Sequence, residues 1–248
     1  MGRAGTLSRR TAAPPLAERV GALDWNRIEA ELDERGSATT GPILTAAECA
    51  GLVGAYDDDA GFRSRVIMAR HGFGRGEYRY FAYPLPAAVA ALRAALYPPL
   101  ASVANRWATA LGTADDYPDD HARYLAGCHK AGQRRPTPLI LKYGAGDYNR
   151  LHQDLYGDLV FPLQAAFLLS KPGTDFTGGE FVLTEQRPRM QSRAEVVPLS
   201  QGEAVIFAVN QRPVRGARGV YRVAMRHGVS RLRSGQRFTL GIIFHDAT

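Results

Sequence analysis

Leu151-His152-Gln153-Asp154 decides how this chain is read, together with His227 far downstream and Arg237 ten residues beyond that. In an extended strand successive side chains alternate between faces, so His152 and Asp154 project to one side and Gln153 to the other. An imidazole and a carboxylate can then share one metal ion, and His227 is the candidate third ligand. Two imidazoles and one carboxylate leave three positions open on one side of Fe(II), which is what a ferrous centre needs to hold both a co-substrate and O2. The set points to chemistry at an open metal face.

Alone, His-x-Asp is a weak pattern, because a chain with six histidines in 248 residues produces it by chance. The surroundings strengthen it. Upstream runs Tyr143-Gly-Ala-Gly146-Asp-Tyr148-Asn-Arg-Leu-His152; downstream come Gly178-Gly179-Glu-Phe181, Gly202 to Phe207, and then His227, Gly235 and Arg237. Over about residues 138 to 246 this order and spacing resemble the 2-oxoglutarate- and Fe(II)-dependent dioxygenases. The resemblance implies a mainly β fold with α: a double-stranded β-helix (jelly roll) core behind an N-terminal helical layer. It also implies Fe(II), 2-oxoglutarate as co-substrate, and O2, with ascorbate as the in vitro reductant.

Two branches of that superfamily compete. Prolyl-hydroxylase-like members carry a Tyr nine residues before the first His, a Gly-Gly pair after it and a basic residue ten after the second His; Tyr143, Gly178-Gly179 and Arg237 match. AlkB-like demethylases also carry Tyr-x-x-Gly before the first ligand, and many read Leu-His-Gln-Asp there, as Leu151 to Asp154 do. Their Asn two positions before the Tyr is Leu141 here, and their anchoring Arg lies further beyond the last His, where this chain has no Arg or Lys after Arg237. The co-substrate pocket therefore resembles the hydroxylase branch. The whole chain is most similar to a bacterial family of 2-oxoglutarate oxygenases associated with damaged, alkylated DNA, on the phrases Gly76-Glu-Tyr-Arg-Tyr-Phe81-Ala-Tyr-Pro84 and Thr184-Glu-Gln-Arg-Pro-Arg-Met-Gln-Ser-Arg193.

Arg237 opens a strand-like run in which it shares a face with Thr239, and its guanidinium fork suits the distal carboxylate of a diacid such as 2-oxoglutarate. Tyr143 is placed by the resemblance on that same carboxylate, or else is an ordinary barrel tyrosine. Glycines 178 and 179 shape a turn. His245 falls after the Arg and is read as a surface or second-layer residue; Asp119-Asp120-His121 and His129 are read as a solvated helix start and a helix face.

The net charge of +7 is carried almost wholly by arginine, the only lysines being Lys130, Lys142 and Lys171. Arginine forks suit phosphate and base recognition, although GC-rich coding gives the same balance. Arg63, Arg65, Arg70, Arg75 and Arg79 crowd one stretch with Phe62, Tyr78, Tyr80 and Phe81, mixing phosphate partners with stacking surfaces. From it we take His71, Arg75, Tyr78, Arg79, Tyr80 and Phe81 as candidate substrate contacts under a lid, against the plainer reading of an edge hairpin. Arg187, Arg189 and Arg193 form a second group.

Residues 1–14 read as a flexible basic tail, 15–134 as a helical cap and lid, and 135–248 as the catalytic core of one integrated domain. Helices are expected over about Leu16 to Leu32, from the Thr45-Ala-Ala-Glu48 capping box to Tyr56, over Pro86 to Leu111 with a break at Pro98-Pro99, and over Asp119 to Ala131. Strands alternate through residues 62 to 83 around the turn His71-Gly-Phe-Gly-Arg-Gly76. Short strands then follow at Pro138 to Tyr143, Leu159 to Ser170, Glu180 to Leu183, Val196 to Leu199, Ala204 to Val209, Tyr221 to His227 and Arg237 to His245. The apolar runs look too short to span a membrane, and the basic N-terminus lacks an apolar signal core, so a cytoplasmic protein is expected. Cys49 and Cys128 are read as reduced packing residues.

The expected activity is oxidative dealkylation of damaged nucleic acid. A prolyl or other protein, amino-acid or small-molecule hydroxylase is the alternative, and a non-catalytic metal- or DNA-binding jelly roll the further one. Nucleic acid is the expected macromolecular partner; strand preference, lesion and oligomeric state stay open.

Overall fold

The computed structural model describes residues 13–217 and 219–248. Most of the expected basic tail thus lies outside the described residues. Two short helices replace the single one expected at the start, α1 (Leu16–Gly21) and α2 (Trp25–Arg35). The Asp24 carboxylate accepts from the backbone N–H of Arg27 and caps a new helix, which interrupts an otherwise continuous apolar spacing. Next come β1 (Ser37–Pro42) and α3 (Ala46–Gly54), the latter starting at the Thr45–Glu48 capping box read from the sequence. Strands β2 (Phe62–Ile67), β3 (Gly74–Arg75) and β4 (Glu77–Phe81) occupy the stretch expected to be a lid, and α4 (Ala87–Leu111) and α5 (His121–Lys130) complete the helical layer.

The expected break in α4 does not occur: the helix runs unbroken through Pro98 and Pro99. Each proline forfeits a backbone hydrogen bond and costs about 3 kcal/mol. Val89, Leu92, Leu96, Tyr97, Leu100, Val103 and Trp107 are all buried along the same helix, at roughly 1.5–3 kcal/mol per large side chain, and outweigh that cost. The unbroken helix corrects a second expectation as well, since it is long and apolar enough to cross a membrane by length and composition. Half of it is buried within the fold, against α1, α5 and strands of both sheets.

The rest of the chain is β: β5 (Leu139–Gly144), β6 (Tyr148–His152), β7 (Leu163–Leu168), β8 (Phe176–Gly178), β9 (Phe181–Gln186), β10 (Arg193–Val197), β11 (Glu203–Ala208), β12 (Gln211–Gly216), β13 (Gly219–Val229) and β14 (Leu232–Ile243). An eight-stranded sheet has the order β1-β11-β7-β14-β5-β4-β2, with β8 on β14, and a six-stranded sheet the order β10-β9-β13-β6-β3, with β12 on β13. This is the expected jelly roll. The region expected to be a helical cap contributes β1, β2 and β4 to the larger sheet and β3 to the smaller, so cap and core share their hydrogen-bond ladders. β1, β8 and β12 escaped the sequence reading because Gly, Pro, Thr and Arg dilute their apolar alternation.

Alternation along the larger sheet separates two environments. Phe238, Leu240 and Ile242 of β14 and Ile140 of β5 join the core under the helices. Arg237, Thr239, Leu139, Leu141 and Tyr143, on the opposite face, line a cavity. The helices thus cover one face of this sheet and leave the other for chemistry.

A polar node fixes the helical layer to the end of β14. Arg93 on α4 donates to the carbonyls of Ile243 and His245 at 2.8 and 3.1 Å and to the Asp246 carboxylate at 2.8 Å, and the two charged side chains are 2% and 0% exposed. Asp246 also accepts from the Tyr83 hydroxyl. Removing one member of a buried ion pair strands the other, so Asp246→Ala should cost about 3–5 kcal/mol of stability in urea unfolding.

Candidate active site

The site begins with a strand pairing. β6 runs antiparallel to β13 with His152 directly opposite His227, and their ring centroids are 4.2 Å apart. The register shifts between His227 and Val229, where Gly228 lies against β6 so tightly that a Cβ would sit 2.7 Å from the Asn149 carbonyl oxygen. Only glycine permits that approach beside the histidine.

His152 is the last residue of β6, and Asp154 lies beyond the strand. The shared side expected from alternation is nonetheless kept as the chain leaves the sheet. Asp154 Oδ1 lies 3.5 Å from His152 Nε2, Oδ2 lies 3.4 Å from His227 Nε2, and the three ligand atoms fall within 4.8 Å of one another. Gln153 points away, as expected, and its amide donates to Asn210 Oδ1 and to the Met225 carbonyl, both at 2.8 Å, which ties the end of β6 to β13. The Tyr156 hydroxyl donates to Asp154 Oδ1 at 2.7 Å.

The protonation states suit metal binding. His152 Nδ1–H donates to the Arg150 carbonyl at 2.7 Å, leaving the Nε2 lone pair free to face Asp154. Burial opposes ionisation of Asp154, but the hydrogen bond and charge of His227, then His152 and Tyr156, outweigh it and hold the carboxyl far below its usual range. Burial, then the neighbouring His152, lowers the His227 imidazole, with the hydrogen bond and charge of Asp154 acting in the opposite direction. An ionised carboxylate is the form in which Asp154 would bind a metal ion.

Across the cavity, Arg237 sits directly opposite Tyr143 in the β14–β5 ladder. Arg237 is 2% exposed and donates to Thr239 Oγ1 at 2.6 Å; no carboxylate pairs with it among the described residues, and its Nε and the Tyr143 hydroxyl have no partner. Burial pulls its guanidinium down to about 10, partly offset by Tyr143 and Glu180, so it is still charged at neutral pH. A buried charge without a partner costs several kcal/mol, and a cation with unused donors beside a free phenol is a socket for a carboxylate. Gly178 and Gly179 shape the turn behind it, with φ of 72° and 65°; a Cβ on Gly179 would reach 2.2 Å from Leu232 Cδ1 and 3.1 Å from Arg237 Cδ.

The triad and the Arg237–Tyr143–Thr239 group line one cavity of about 360 Å³ between the two sheets. The donor set fits one ferrous ion with an open face, and the orphaned cation beyond it fits the far end of a dicarboxylate that reaches the same ion.

The lid residues divide. Tyr78 lines the cavity, and the exposed His71 stacks on Phe73 with centroids 5.3 Å apart. Arg75 is exposed at the end of β3, paired in register with Tyr148 of β6. Tyr80 is buried behind the cavity wall with Leu139 and Ile243. Arg79 and Phe81 are corrections. Arg79 is buried beneath Asp59, 2.6 Å away, with its guanidinium over the Tyr56 ring, and Phe81 stacks on Phe62 at 4.8 Å in the core. β4 lies between β2 and β5, so much of this aromatic and cationic stretch is spent on packing. Sequence reasoning missed Gly72, Phe73, Arg150 and Leu151, which also line the cavity; the only signal was their adjacency to His71 and His152.

Two other readings change. His245 is fully buried, its Nδ1 accepting from the Phe161 N–H at 3.2 Å, and His121, expected in solvent, is buried with Nε2 2.9 Å from the Phe244 carbonyl. Arg187 and Arg193 of the second basic group lie within ion-pair distance of Glu185.

Residues 76–247 match a family described as an oxygenase catalysing oxidative methylation of damaged DNA. The chain belongs to this oxygenase family. Proteins from two strains of Mycobacterium tuberculosis, both described as uncharacterized, are 52% identical over 167 residues, covering 67% of this chain and 72% of theirs. Among solved structures, a prolyl 4-hydroxylase from Phytophthora capsici aligns with TM-score 0.53 at 14% identity, covering 95% of this chain and 67% of that one. A Trichoplax adhaerens prolyl hydroxylase in complex with a peptide of hypoxia inducible factor aligns with TM-score 0.51 at 14% identity, covering 91% and 90%. These two likenesses establish the shared fold. Family, fold and donor set together make the chain a 2-oxoglutarate- and Fe(II)-dependent dioxygenase.

His152→Ala and Asp154→Ala should each lose bound iron and succinate production while the far-ultraviolet circular dichroism stays unchanged. Arg237→Ala should keep its iron and raise the 2-oxoglutarate requirement roughly thirtyfold or more, from the about 2–5 kcal/mol that breaking a buried charge-assisted pair costs. A co-substrate titration with parallel metal analysis checks both.

Proposed function

We propose that this oxygenase removes alkyl groups from damaged bases of DNA by oxidising the carbon attached to the base nitrogen. The observation that carries the reading is the match of residues 76–247 to a family described as acting oxidatively on damaged DNA. The geometry supports it by placing a metal triad and a carboxylate socket in one cavity whose mouth is cationic and aromatic. Bound Fe(II) with 2-oxoglutarate and O2 supplies hydroxylation of a nearby C–H bond, the keto acid leaving as succinate and CO2.

The chain's own residues do the rest. His152, Asp154 and His227 hold the ion by one face, and Arg237, with Thr239 and Tyr143, orients the keto acid from its far end. Leu139, Leu141 and Phe207 give the cavity apolar walls that limit water around the reacting carbon. A hydroxymethyl group left on a base nitrogen is unstable and departs as formaldehyde, which is how an oxidation at the methyl becomes a demethylation.

A base inside a duplex cannot reach such a cavity, so it must be unstacked or presented on a single strand. Phe73 is 48% exposed at the mouth with His71 stacked on it, a surface suited to a displaced base. Arg150 lines the cavity and is exposed, Arg75 is exposed on β3 where it pairs with β6, and neither lies in an ion pair among the described residues. Two buried, unpaired thiols, Cys49 and Cys128, support a cytoplasmic setting.

The test is formaldehyde and succinate release from methylated oligonucleotides, with proline-containing peptides as the competing substrate. Turnover on a peptide and none on any methylated oligonucleotide would overturn the proposal. Arg75→Ala with Arg150→Ala should flatten the salt dependence of single-stranded DNA binding by about 1.4 in log–log slope, at roughly 0.7 for each phosphate left unneutralised, in an anisotropy titration.

A further inference from the structure

We infer that Tyr156 is a positioning residue for the metal centre: its phenol O–H occupies Oδ1 of Asp154 and leaves Oδ2 as the single carboxylate oxygen offered to the ion. The inference rests on the metal reading of His152, Asp154 and His227. Among the described residues the Tyr156 hydroxyl, at 2.7 Å, is the only hydroxyl or amide that donates to Asp154. Each carboxylate oxygen faces one ring nitrogen, Oδ1 at 3.5 Å from His152 Nε2 and Oδ2 at 3.4 Å from His227 Nε2. Distance therefore does not choose between the two oxygens, and the phenol decides which one is free.

The phenol is held in place by a clamp that the sequence did not reveal. Residues 153–161 have no regular secondary structure other than a bend, yet Gln133, which is 1% exposed, reaches into them. Its amide nitrogen lies among the carbonyls of Tyr156, Leu159 and Asp246, at 3.1, 3.0 and 2.6 Å, which share its two hydrogens, and its Oε1 accepts from the Leu159 N–H at 2.8 Å. Gly157, with φ of 102°, lets the chain pass so close to Gln133 that a Cβ there would lie 2.5 Å from Cδ. The ring itself is edge-on to Tyr80, centroids 6.2 Å apart at 89°, and also 6.2 Å from the His245 ring. Backbone and ring are thus fixed independently, and the hydroxyl is directed at Asp154 Oδ1.

The chemistry gives this contact a purpose. A keto acid held through its carboxylate and its carbonyl would take two of the ion's three open positions and leave the third for O2. A carboxylate bound through both oxygens would take one of them. A donor locked on Oδ1 opposes that mode, whereas a free carboxylate can rotate into it.

Tyr156→Phe keeps the ring and removes only the donor. Loaded with Co(II) as a spectroscopic probe, it should bind the ion ten- to hundredfold more weakly than the wild type and show an altered visible absorption. Its metal-free melting temperature should be close to the wild type, so that a smaller Co(II)-induced rise reports the site and not the fold. Tyr80→Phe, which leaves the bond to Asp154 intact, should titrate as the wild type does. Wild-type affinity and absorption in Tyr156→Phe would overturn the inference, as would an equal loss in Tyr80→Phe, which would assign the effect to packing of the wall. A wild type that binds no Co(II) would overturn the metal centre itself, and the two failures are told apart by that titration.

Discussion

Everything at the active site depends on the register between β6 and β13. Because His152 and His227 are directly opposed across one antiparallel pair, two residues 75 positions apart in the chain arrive with their rings 4.2 Å apart. A slip of one residue would turn either side chain to the other face. Three features hold that register: the Gln153 amide bridging to Asn210 and Met225, Gly228 allowing close approach, and the second ladder that β13 makes with β9. The tripeptide that supplies the ligand pair thus also supplies, at its middle residue, the stitch that aligns the third ligand.

The structure treats buried arginine in two opposite ways. Arg93 is saturated, with two carbonyls, a carboxylate and a tyrosine hydroxyl around its guanidinium, and both terminal nitrogens of Arg212 are held by Glu185 and two helix carbonyls, only its Nε lacking a partner. Arg237 is as deeply buried but has one hydroxyl partner. Stability alone would favour closing that site too. Its open donors cost the free protein stability and reserve the interaction for an incoming carboxylate.

The chemistry was legible in the sequence because it resides in residue identity and spacing: His152, Asp154, His227, Arg237, Thr239 and Tyr143 all line the one cavity. The jelly roll was legible from the family resemblance and the succession of short strands, and α3 and α5 from their capping residues. What escaped was decided by tertiary packing. Whether Pro98-Pro99 ends α4 depends on how much apolar surface that helix buries, and nothing local reports this. Arg79 and Arg75 look alike in sequence, yet one lies under Asp59 within a central strand and the other at a free strand end. Gln133 reads as an ordinary polar residue after a helix, and its role emerges only when the chain after Asp154 folds across it.

The position of β14 has a consequence for how the molecule is assembled. It is the centre of the larger sheet, flanked by β7 and β5 and also paired with β8, yet it follows all three in the chain. Until it inserts, β5 and β7 present open edges and the carboxylate socket does not exist. Such late, long-range closure makes for slow folding through intermediates with unpaired strands, the species most prone to aggregate. Co-substrate binding must therefore come late in folding, after the strand carrying Arg237 has zipped into the sheet that faces the triad.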